Sequence, residues 1–320
     1  MAWLARSRWS AAKFMLPALV PLCMTLLSSS MAAPEAGENF RLQIDHSTID
    51  VEIHPGKIGV STEQIRDWIT WAAKSVFAYY GRYPVPHLLL QIEPFHGPGV
   101  HSGHTFGEEE GGRIRIGVGD QATVAELRDD WMITHEMVHL ALPNVPEQHH
   151  WMEEGIATYV EPIARLQAGY LTESQVWGDV VRDMWQGLPQ SGDQGLDHTH
   201  TWGRTYWGGA LFCLLADIEI HKRTGNRKGL EDALRAVLNG GGNIARNWPL
   251  ERVLRVGDEA VGVPVLEDLY QKMKDKPANV GLDQLWRDLG ISRADGVTTF
   301  NNQAPLASTR RAINAGPTTP

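Results

Sequence analysis

The chain has 320 residues, 42% of them hydrophobic and 21% charged, values ordinary for a globular protein with a real core in one large domain or two closely packed lobes. Its formal net charge is −9, which argues against nucleic acid as a partner because phosphates need the opposite sign. Two cysteines in the whole chain exclude a disulfide scaffold.

The N-terminus has the pattern of a secretory signal peptide over residues 1–33. Arg6, Arg8 and Lys13 precede an apolar run at 14–27, and small residues follow, with Ser30 and Ala32 at a cleavage-like spacing. Cys23 follows Leu22, whereas a lipid-attachment cysteine follows a small residue. Removal of this segment leaves 26 basic against 38 acidic side chains, a charge of −12, and one cysteine, Cys213, in an apolar run. The expectation is an exported protein, periplasmic or secreted, with no stable membrane insertion after cleavage.

Residues 34–120 read as a β-rich lobe. Segments 40–44 and 49–53 alternate like a hairpin, and 62–80 has helical spacing opened by the capping-box pair Ser61 and Gln64. Segments 87–93 and 113–118 read as strands, with a Gly- and His-rich loop at 98–112 between them. The second of these strands, 113–118, is expected at a sheet edge where an extended substrate pairs by strand addition.

Residues 121–297 read as a helical lobe. Helices are expected at 122–141, 152–168, 173–185, 206–224, 228–238 and 265–274, with a proline-containing loop at 142–150. Residues 298–320 lack periodicity and are expected to be a disordered tail. The order of a β-rich lobe followed by a helical lobe is an α+β arrangement.

The chemistry concentrates at His135-Glu136-Met137-Val138-His139. Four residues apart on a helix, His135 and His139 share a face and can meet one metal ion. Zinc accepts imidazole nitrogen, and a catalytic zinc takes three protein ligands. Glu136 beside the first ligand is placed to take a proton from water. Glu154, opening the next predicted helix, is the expected third ligand, with Glu153 and His150 as the alternatives. The expectation is one zinc ion per chain.

The run Glu154-Gly155-Ile156-Ala157-Thr158-Tyr159-Val160-Glu161 resembles the segment that carries the glutamate ligand in gluzincin peptidases, including the aminopeptidase N family. Fourteen residues separate His139 from Glu154 where that family has eighteen, closer to the broader peptidase-MA-like group. Tyr206-Trp207-Gly208-Gly209-Ala210 and the stretch through Asp217 and Gly225 resemble a second motif of aminopeptidase N and glycyl aminopeptidase-like enzymes, with Gly208 where lysine is common. The resemblance covers residues 120–275. It implies a thermolysin-like catalytic domain, zinc on His135, His139 and Glu154, Glu136 as general base, and Tyr206 as hydrogen-bond donor to the oxyanion.

The aminopeptidase segment that anchors a substrate amino terminus is missing, and the acidic run Glu108-Glu109-Glu110 is the candidate replacement. The function so implied is an exported zinc peptidase acting on a peptide or protein substrate. The alternatives are an idle zinc-fold binding or assembly module of the cell envelope, and a zinc hydrolase of a non-peptide substrate. His101, His104, His149, His150, His198 and His200 are secondary candidates for the cleft.

Overall fold

The structure, a computed structural model, describes residues 38–316; the expected signal peptide lies outside them. Strands β1 (Asn39–Ile44) and β2 (Ser47–Ile53) form the antiparallel hairpin that their alternation predicts. Helix α1 (Thr62–Tyr80) follows, with the Ser61–Gln64 capping box formed and a left-handed Gly81 at its C-terminus. It returns the chain to β3 (His87–Phe95), parallel to β2.

Strands β4 (Val100–Glu108) and β5 (Gly111–Gly119) complete a sheet of order β1-β2-β3-β5-β4. One face is apolar: Ile49, Val51, Leu88, Leu90, Ile92, Ile114, Ile116 and Val118 are all buried. The opposite face carries cross-strand polar pairs, among them Arg41 with Asp50 at 2.6 Å and Gln91 with Glu52 at 2.9 Å. This one-sided burial is what period-two alternation encodes.

Two expectations change here. Residues 98–112 are not a loop: they form β4 and the turn into β5. The segment 113–118 is not an edge, because β5 pairs with β3 on one side and β4 on the other. The edge is β4, a strand mostly exposed along its length. With no buried face to demand alternating apolar residues, its sequence carried no strand pattern.

The helices follow: α2 (Val124–Asp129), α3 (Met132–His139), α4 (His150–Gln167), α5 (Glu173–Asp183), α6 (Gly209–Thr224), α7 (Leu230–Asn239), α8 (Leu250–Val261), α9 (Val265–Met273), α10 (Leu282–Leu289) and α11 (Ala307–Ala315). The single helix expected over 122–141 is two, broken at Asp130. The expected tail is also ordered through residue 316: a small hairpin, β6 (Ile291–Ala294) with β7 (Val297–Phe300), leads into α11. Arg310 and Ile313 of α11 are buried, and Arg310 donates to the carbonyls of Leu289 and Gly290. The buried face of this helix mixes Ala307 and Ile313 with the polar Thr309 and Arg310, so apolar periodicity did not reveal it. Among the described residues no helix is long and apolar enough to cross a membrane.

Candidate metal centre and active-site cleft

Helix α3 is short, and its start is fixed from outside. Asp130 accepts hydrogen bonds from the backbone N–H groups of Met132 and Ile133 and from the Trp68 indole of α1, at 3.1, 3.2 and 3.0 Å. A carboxylate at that end satisfies the free N–H groups and complements the helix dipole. Ile133, Met137 and Val138 bury against the core, which turns His135, Glu136 and His139 to the other side.

The chain then reverses through a loop held at several points. The Val145 N–H donates to Glu153 Oε1 at 2.9 Å, and Asn144 donates to the carbonyl of Ile244 at 2.7 Å. His149 lies 2.9 Å from Asp197, which also accepts from the Trp151 indole and the Tyr270 hydroxyl, both at 2.8 Å. His149 is therefore a buried anchor for the start of α4. Glu153 is occupied by the loop and by His150, whose Nδ1 is 3.0 Å from its Oε2. Of the two glutamates opening α4, Glu154 alone turns to the histidine pair.

His135, His139 and Glu154 bring their ligand atoms within 4.8 Å of one another. Glu154 Oε2 lies 3.1 Å from His135 Nε2 and 3.7 Å from His139 Nε2. Burial works to raise the Glu154 pKa, but the neighbouring His139 and His135 outweigh it and hold the carboxyl at about 2. Burial holds His139 below the usual histidine range, favouring the neutral imidazole that offers a lone pair. Two imidazoles and an anionic carboxylate converging on one point are a donor set that fits zinc.

Glu136 stands beside this cluster and is pinned by the edge strand. The Thr105 hydroxyl of β4 lies 2.7 Å from Glu136 Oε2 and 2.9 Å from the Glu136 carbonyl. The strand pairing is irregular between His101 and His104, and Gly103 sits at that irregularity. A Cβ at Gly103 would lie 2.6 Å from Glu136 Oε1 and 2.7 Å from its Cγ, so any other residue there would displace the Glu136 side chain. Sequence reading missed Thr105 and Gly103 because it took this segment for a loop.

Tyr206 occupies a π-helical turn, Arg204–Gly208, just before α6. Its ring stacks near His135, centroids 6.3 Å apart, and Trp202 also stacks on it at 5.7 Å. Burial, followed by the charges of Glu154 and Glu136, pushes the Tyr206 pKa well up, so the phenol keeps its proton. Its distance from the metal cluster is set by glycines. A Cβ at Gly155, next to Glu154, would lie 2.3 Å from Gly209 Cα, and a Cβ at Gly209 would lie 2.1 Å from the Trp151 carbonyl oxygen. The backbones of α4 and α6 touch at this point.

The remaining candidates divide. His150 is near the cluster, its Nε2 3.4 Å from Glu154 Oε1. His198 pairs with Asp275 at 3.0 Å on the surface, and His200 is exposed. His101 and His104 lie on β4, packed on Phe95 and Phe106 respectively. Glu108 closes β4 and pairs with Arg113 at 2.9 Å. Five residue steps along the strand separate it from Gly103, about 16 Å at roughly 3.3 Å per residue. Cys213 is buried, which pushes its thiol far up and keeps it unreactive.

No protein-family model matches the chain, and no curated protein matches it in sequence. Solved structures do match. The aminopeptidase N family protein from Idiomarina loihiensis superposes with a TM-score of 0.60 at 10% identity, over 80% of this chain and 49% of that one. A point mutant of the M1 zinc metallopeptidase from Deinococcus radiodurans superposes with a TM-score of 0.50 at 13% identity, over 77% and 54%. The chain spans about half the length of these structures, and at such identities the likeness is one of fold. In fold, then, the chain is similar to these zinc metallopeptidase and aminopeptidase N family structures, the likeness that its motifs implied.

Proposed function

We propose that the protein is an exported zinc-dependent peptidase that hydrolyses peptide bonds, with a thermolysin-like arrangement of its catalytic groups. The observation that carries this reading is the convergence of His135, His139 and Glu154 beside Glu136. Bound by those three residues, zinc supplies a Lewis acid for the scissile carbonyl and lowers the pKa of the attacking water.

The other roles belong to the chain. Glu136 accepts the proton of the attacking water and delivers it to the leaving amine. The Thr105 hydroxyl holds the Glu136 carboxylate in one orientation. The Tyr206 phenol donates a hydrogen bond to the oxyanion of the tetrahedral intermediate. The free edge of β4 takes an extended peptide by strand addition, in place of the β5 segment expected from sequence. Trp131, edge-on to His135, and Trp202, stacked on Tyr206, offer apolar contact for side chains of that peptide.

The test is Glu136→Gln, which keeps shape and removes the base. The expected protein retains zinc and loses peptidase activity on a mixed peptide library; full activity with zinc in place would refute the assignment. Export rests on residues 1–33 alone, and N-terminal sequencing of the mature protein from the periplasmic or culture fraction checks it.

A further inference from the structure

A second group of metal-ligand side chains lies away from the cleft. Asp217 and His221, four residues apart on α6, meet Glu231 from the first turn of α7, with ligand atoms within 4.8 Å of one another. All three are buried, at 1%, 3% and 3% exposure. Asp217 is well anchored: Oδ1 accepts from the Leu230 N–H at 2.8 Å and Oδ2 from the Tyr159 hydroxyl at 2.7 Å.

His221 is not. Neither ring nitrogen has a hydrogen-bond partner, although the residue is sealed in the interior. Leaving such a group unmatched is costly, because its desolvation goes uncompensated. Its Nε2 lies 3.4 Å from Asp217 Oδ1. That is also the separation of two donors sharing a tetrahedral ion, roughly 3.4 Å when each sits about 2.0–2.1 Å from the metal.

The space beside these atoms is kept open by a glycine. A Cβ at Gly229 would lie 2.4 Å from Glu231 Oε2 and 2.7 Å from His221 Nε2. The backbone at Gly229 is extended, with φ −131°, so conformation does not require glycine there; space does.

We propose that Asp217, His221 and Glu231 form a second, structural site for a divalent transition-metal ion. One imidazole and two carboxylates suit such an ion, and two carboxylate charges neutralise it in the buried interior. The alternative state, with no ion, leaves two acids in the interior. The ion would tie α6 to α7 and, through Tyr159, to α4. It has no general base beside it and no part in the peptidase reading, on which this inference does not depend.

Zinc is the probe. The full chain carrying His135→Ala and His139→Ala, produced in zinc-supplemented medium, is expected to retain one zinc ion per chain by elemental mass spectrometry. Adding His221→Ala or Glu231→Gln to that protein is expected to bring zinc to zero, with circular dichroism confirming the fold. Glu231→Gln preserves shape, so it serves where His221→Ala does not fold. In addition, zinc added to the chelated double variant is expected to raise its melting temperature, and to leave that of the Glu231→Gln triple variant unchanged. A folded double variant that holds no zinc, and whose melting temperature zinc does not move, overturns the proposal. Equal zinc content with and without Glu231→Gln overturns it as well.

Discussion

The two buried clusters, His135-His139-Glu154 and Asp217-His221-Glu231, use the same device and differ in surroundings. Each takes two donors from one helix at a spacing of four residues and a glutamate from the first turns of another helix. At the first, Glu136 and Tyr206 stand alongside, an edge strand passes by, and His139 is partly exposed. At the second, the neighbours are a helix N-terminus and a tyrosine already bonded to Asp217, and every donor is sealed. Convergent ligands make a place for a metal; what borders them decides whether chemistry can follow.

The contrast can be broken most sharply at Glu136. Glu136→Gln should lower kcat about 10³-fold, within the usual range for loss of a general base, with zinc content unchanged. Tyr206→Phe should lower kcat about 10²-fold with KM nearly constant, as expected when one oxyanion donor is lost. A matching rise in KM would move Tyr206 from the reaction to substrate binding.

Glu231→Gln is the counterpart at the second cluster. Turnover should stay within a few-fold, while zinc-replete protein loses about 2.7 kcal/mol, the linkage value for an ion at a hundred times its dissociation constant. In chelated protein the sign should reverse to neutral or stabilising, because the substitution removes a buried acid. Thermal melts with and without chelator read both. The smallest effect is expected at Thr105→Val, about 1 kcal/mol in kcat/KM from the lost hydrogen bond to Glu136. No change there would mean that the strand backbone alone positions the base.

The sequence disclosed features that rest on local rules. Ser61 and Gln64 announced α1, and His135, Glu136, His139 and Glu154 follow from helical spacing and ligand chemistry; the structure brings all four together. Strand β4 was illegible because only its pairing with β5 makes it a strand. Helix α8 was not among the expected helices, although Leu250, Val253, Leu254 and Val261 stand at helical spacing. The second cluster was half visible, since Asp217 and His221 share a helix face. Glu231 joins them only through the turn between α6 and α7, for which no local rule exists.

The contact between Gly155 and Gly209 has a consequence for tolerance. Carbon atoms rest about 3.5–4.0 Å apart, so a methyl placed 2.3 Å from Gly209 Cα must drive the two helices apart by more than an ångström. Catalytic groups work within about 0.5 Å of their proper positions. Gly155→Ala should gain up to about 1 kcal/mol in helix propensity and still lose activity, because Glu154 and Tyr206 take their mutual alignment from that contact. A single carbon on a residue that binds nothing itself would put the instrument out of calibration.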